Sequence, residues 1–157
     1  MMEPLARNEI IAVFGASKHL VLPNLKHIDW DVVDYLGWVH PSGHRGFLVH
    51  ESPLDGRIRG TTLHRSHVVN RYPRLEMCSL CYQNHETGGT AMFTIDEAGS
   101  RGRHRIGQTV CKDLDCSLRI RNLVNDGGEP AETNYLQARI WRMQRRLHRW
   151  LKSADKL

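Results

Sequence analysis

Four cysteines, and no others, constrain this chain more than any other feature: Cys78, Cys81, Cys111 and Cys116. They fall into two close pairs, CSLC and CKDLDC, and a short spacer lets both sulfurs of a pair turn onto one ion. The 29 residues between the pairs (82 to 110) are enough for a β-hairpin that folds back and closes the site. Four thiolates around one zinc ion leave no open coordination position, so the expected site is structural zinc rather than a catalytic centre. That argues against an enzyme and against a small-molecule substrate.

The compartment bears on this reading. The opening segment MMEPLARNEI lacks the apolar stretch of a secretory leader, and no run of eighteen apolar residues is present. A cytoplasmic location away from any membrane is therefore expected. In a reducing compartment paired cysteines read as metal ligands rather than disulfides.

Periodicity supplies the fold class, α+β. Ile10, Ile11 and Phe14 recur at helical spacing behind Pro4, predicting a helix over 4–16. DYLGWVHP comes next, with aromatics around Gly37. Residues 46–50 and 57–63 read as a hairpin turned at Asp55-Gly56. The polar stretch 65–74 is the expected boundary between an N-terminal helix and hairpin unit (1–74) and a zinc-finger unit (75–157).

In that second unit the knuckle MCSLCY is succeeded by expected strands at 90–95 and 105–110, the latter delivering Cys111. Asp113 and Asp115 are candidate N-caps for a helix to about Val124, with Cys116 in its first turn. Knuckle, hairpin, then a helix that brings in the last ligand is the order of a treble-clef zinc finger. Lys112, Arg119 and Arg121 stand near enough in sequence to offset the charge of a four-thiolate centre.

A last helix is expected over 131–152. Leu136, Ile140, Met143, Leu147 and Trp150 form its apolar stripe, and no acidic residue lies between 133 and 152. Charge is concentrated here: residues 1–100 hold 9 Lys and Arg against 11 Asp and Glu, while residues 101–157 hold 13 against 6. Arg139, Arg142, Arg146 and Arg149 are the candidate partner-binding residues. An acidic protein and RNA both suit a patch of this sign, and so does plain solvation. Trp141 lies off the apolar stripe, its role open.

Ten histidines are present. His40, His44, His64 and His67 have ligand-like spacing but no accompanying carboxylate constellation, and read as solvated or packing residues. His85 and His104 flank the finger and are the candidates to replace a thiolate.

CSLC, with RIGQTVCKDLDCSLRIR downstream, resembles the C-terminal treble-clef domain of the elongation factor G-binding proteins, the fusidic acid resistance family. The resemblance covers about residues 75–124, and the first half is similar to short actinobacterial members. It implies that Cys78, Cys81, Cys111 and Cys116 take the four zinc positions. It further implies a non-enzymatic protein that binds elongation factor G on or near the ribosome. The alternative reading is an RNA- or ribosome-binding zinc-finger protein that meets rRNA with its basic C-terminal surface.

Overall fold

The computed structural model describes residues 1–15, 17–66, 72–124, 126, 129–130 and 132–157. The first helix, α1 (Arg7–Phe14), is shorter than the expected 4–16. Glu9 folds back to accept a hydrogen bond from the Ala6 N–H, and Gly15 at φ 62° ends the helix.

The expected hairpin is present as β2 (Arg45–Glu51) and β3 (Ile58–Ser66), antiparallel, with Glu51 opposite Ile58. Asp55 and Gly56 lie in its turn, where the Asp55 carboxylate accepts from Arg57 N–H and Gly56 has φ 69°. Ahead of it, β1 (Leu36–Val39) forms a strand that the aromatic-rich DYLGWVHP segment did not announce.

The knuckle is framed by β4 (Glu76–Met77) and β5 (Gln83–His85). Then come β6 (Thr90–Asp96) and β7 (Arg105–Cys111), matching the expected pair. A short α2 (Cys116–Arg119), β8 (Glu129–Pro130) and α3 (Leu136–Ser153) complete the chain.

The main sheet has the order β1-β2-β3-β6-β7, and β4-β5-β8 form a smaller one. Strand β3 pairs with β6 through His64–Thr94, Arg65–Phe93 and Ser66–Met92. Strands from both sides of residue 74 therefore share one sheet, and the expected division between 1–74 and 75–157 separates no independent sheets. His67 lies outside the described residues. His64, at the end of β3, turns its Nε2 to the Asp96 carboxylate of β6 at 3.2 Å.

Two apolar cores cover the two faces of β2. Phe47 and Val49 join Ile10 of α1, Val33, Leu36 and Trp38 on one face. Leu48, one residue out of phase, joins Leu63, Phe93, Met143 and Leu147 on the other, as the two-residue period of a strand requires. Helix α1 and helix α3 thus cover opposite faces. Phe14, Trp38 and Phe47 stack with centroids 5.4–5.9 Å apart, and Trp38 Nε1 donates to Val21 O at 2.7 Å.

His50, on the α3 side of β2, is 1% exposed, and neither ring nitrogen has a hydrogen-bond partner. Burial, then the nearby His148 of α3 and Arg59 of β3, lower its pKa to about 4. The folded protein therefore keeps His50 neutral where the unfolded chain, near 6.5, takes up a proton. Stability from this group is complete above pH 6.5 and declines as pH falls toward 4, by up to about 3 kcal/mol. Denaturant melts should show that decline in the wild type and a shallower one in His50→Leu. The comparison is made over the pH range in which metal analysis shows both proteins still loaded.

Candidate metal centre

Each pair of sulfurs is carried by different elements. Cys78 and Cys81 sit in the turn after β4, where Cys78 N–H donates to Gln83 O at 3.0 Å and Tyr82 N–H to Cys78 O at 3.0 Å. Tyr82 takes φ 60° to close this turn, and the Leu80 N–H points at Cys78 Sγ at 3.4 Å. Cys111 ends β7, and Cys116 opens α2. Between them the chain reverses at Leu114, φ 57°, whose N–H donates to Cys111 O at 2.9 Å.

The four Sγ atoms lie within 4.8 Å of one another and could hold one metal ion. Cys78 and Cys116 sulfurs are 3.6 Å apart, and Cys81 and Cys111 sulfurs 3.5 Å. A Zn–S bond of ~2.3 Å implies a tetrahedron edge of ~3.8 Å, so these spacings fit zinc and are far beyond a ~2.05 Å disulfide bond. All four are free thiols by connectivity and at most 1% exposed.

Their electrostatics call for a cation. Hydrogen bonding from Cys116, Cys78 and Cys81, with burial, pushes the Cys111 thiol well above its ordinary pKa. The Cys78 thiol falls well below it: burial raises it, but hydrogen bonds from Cys111, Cys116 and Cys81 prevail. Four adjacent buried thiolates are stable together only when a divalent cation balances them.

His85 and His104 part company here. His104 is exposed, whereas His85 is 3% exposed with Nε2 3.2 Å from Cys111 Sγ. Burial, then the positive charge of Arg119, lowers the His85 pKa and favours the neutral ring, whose Nε2–H tautomer can donate to the sulfur. A Cβ on Gly89 would come 2.4 Å from His85 Cβ, so only glycine lets the β5–β6 turn close over this ring. His85 thus stands against Cys111, outside the four-sulfur cluster.

Helix α2 is one turn long, not the expected run to Val124, because Asn122 adopts φ 57° and reverses the chain. Asp115 stands at its N-cap but makes no cap hydrogen bond. Its carboxylate instead accepts from Arg119 Nε at 2.7 Å, and Asp126 takes Arg119 Nη1 at 2.7 Å. Asp113 is exposed. Arg121 pairs with buried Asp34 at 2.6 Å, so neither arginine is a free counter-charge for the thiolates.

The candidate partner-binding arginines also divide. Arg139 is 7% exposed and 3.8 Å from Glu132, and Arg142 pairs with the same carboxylate through Nη1 at 2.6 Å. Arg142 also lies 3.9 Å from the Tyr82 ring centre, and Arg146 donates Nε to Ser79 O. Arg139, Arg142 and Arg146 are thereby tied inward, because Glu132 and the Ser79 carbonyl compete for them; Arg149 alone of the four has neither an acidic nor a carbonyl partner among the described residues.

Purified protein is expected to hold one zinc per chain, and Cys116→Ser to lose it together with cooperative unfolding, as metal analysis and thermal melts would report. His85→Ala is expected to keep zinc but release it to a chelator roughly ten times faster, the scale of an outer-shell hydrogen bond to a ligand. An unaltered release rate would remove His85 from the centre.

The comparisons with known proteins extend beyond the finger. No curated protein matches the chain in sequence. Among solved structures, the fusidic acid resistance protein FusC is similar, with TM-score 0.61 and 17% identity over 96% of this chain. The match takes in 59% of the FusC chain, so this chain spans well under two thirds of that protein's length, and the likeness is one of fold. It includes the first half, beyond the residues 75–124 that carry the sequence motifs. A family model, the FBP C-terminal treble-clef zinc-finger, matches residues 10–154, and the chain belongs to that family.

Proposed function

We propose that the chain is a non-enzymatic, cytoplasmic zinc-finger protein that binds elongation factor G on or near the ribosome. Cys78, Cys81, Cys111 and Cys116 are the zinc ligands in this reading, and the metal's part is to hold the fold. A centre closed by four thiolates offers no position for water or substrate, which supports a binding role over catalysis. The single observation that carries the reading is the family match across residues 10–154, nearly the whole chain. It joins the knuckle motif to the sheet and to α3 as one unit. Among the described residues no helix is long and apolar enough to cross a membrane.

A second reading, binding of rRNA or the ribosome, is favoured by the cations on α3 that lack an acidic partner among the described residues. The two separate in one experiment. Zinc-loaded, nuclease-treated protein mixed with purified elongation factor G should form a complex that survives moderate salt in size-exclusion chromatography. No complex, together with nuclease-sensitive co-sedimentation with ribosomes, would replace the first reading by the second.

A further inference from the structure

Helix α3 carries six cations, and the fold sorts them into two sets. Arg139, Arg142 and Arg146 are turned back onto Glu132, Tyr82 and Ser79. Arg145, Arg149 and Lys152 are exposed and have no acidic partner among the described residues. With Trp141 they stand at steps of four, four and three, which places all four on one stripe about 16 Å long. Trp141 is 58% exposed, and the Arg145 guanidinium lies 4.6 Å from its ring centre.

Among the described residues, the stripe takes no part in either apolar core. The apolar face of α3 packs through Ile140, Met143, Leu147 and Trp150, on the other side of the helix. Like charges one turn apart repel, so the row weakens the isolated helix rather than supporting it. An exposed tryptophan held by an arginine is, by contrast, the kind of rigid, wide anchor that dominates protein contacts. Beside Arg149 lies a hollow of about 230 Å³ whose lining includes Ser79, Gln108, Arg146 and Ser153, which suits one carboxylate side chain.

We propose that the stripe Trp141, Arg145, Arg149 and Lys152 docks an acidic helix of a protein partner. Carboxylates one turn apart on that helix face the three cations, one of them entering the hollow at Arg149, and an apolar side chain meets Trp141. The inference rests on the factor-binding reading and names the part of elongation factor G that would be engaged, an acidic helical face. A protein fits better than RNA on two counts. With Arg139, Arg142 and Arg146 already engaged, the stripe offers only three phosphate contacts, a salt dependence of roughly two log units per decade. One face of Trp141 is also covered by Arg145, which leaves a poor platform for stacking bases.

The test is a titration of purified elongation factor G with the full zinc-loaded chain, comparing wild type with Trp141→Ala, Arg145→Glu, Arg149→Glu and Lys26→Glu. Lys26 is exposed in the N-terminal segment, on the α1 side of the sheet, and controls for net charge. Zinc content and circular dichroism should be alike in all five. Each Arg→Glu change is expected to weaken binding at least tenfold and Trp141→Ala at least fivefold, with Lys26→Glu unchanged. Wild-type binding with the stripe variants equally tight overturns the docking surface and leaves the factor reading standing. Equal weakening in every charge variant, including Lys26→Glu, also overturns it, as does loss of single-stranded RNA binding with factor affinity intact. No wild-type complex at all removes the factor reading and this inference with it.

Discussion

Four sulfur atoms buried side by side, all within 4.8 Å, can all be thiolates in a folded protein only when a cation balances them. The cysteines are not an appendage to the core; they are part of it, packed with Leu80, Phe93, Leu114, Ile120, Met143 and Leu147. Without the ion, raised thiol pKa values and the mutual repulsion of ionised sulfurs act in the centre of that cluster. Metal binding and closure of that core are therefore coupled.

The N-terminal half depends on the same centre through contacts that are close and buried. Gly37 of β1 lies against the loop that leads into α2, where a Cβ would stand 2.6 Å from Leu114 Cβ and from Leu114 O. Asp34 N–H donates to Ser117 Oγ at 3.1 Å, while its carboxylate holds Arg121 in a bidentate pair. Tyr35 is buried in the cluster itself, and burial with the negative charge of Cys116 pushes its pKa well above 10. A segment about 80 residues upstream of α2 thus forms one wall of the metal centre. The family match likewise takes in this upstream segment, running over residues 10–154.

Local signals in the sequence carried the hairpins and the four-cysteine cluster. The strands around Asp55-Gly56 and those at 90–96 and 105–111 arise from alternation and turn residues, and the cysteine spacing is itself a local geometric demand. What was not legible depends on backbone conformations and pairings that these patterns do not encode, some of them local and some distant. Helix α2 stops after one turn because Asn122 reverses the chain and Asp115 serves Arg119, neither of which a capping pattern encodes. Strand β1 is a strand because β2 lies beside it. Arg121 finds its carboxylate 87 residues away, a pairing that no local pattern of charge discloses.

The arginines show why net charge is a poor guide to a surface. The last 57 residues carry an excess of seven positive charges, yet Arg119, Arg121, Arg139 and Arg142 all meet carboxylates inside the fold. Desolvating a guanidinium is tolerable only with such partners, and each one formed subtracts a cation from what a ligand can meet. Glu132 does this twice, for Arg139 and Arg142, while the Arg142 and Arg146 guanidinium carbons lie 3.9 and 5.0 Å from the Tyr82 ring centre. The consequence is geometric: of the basic face that α3 has in sequence, the cations without an acidic or carbonyl partner among the described residues form one stripe with Trp141.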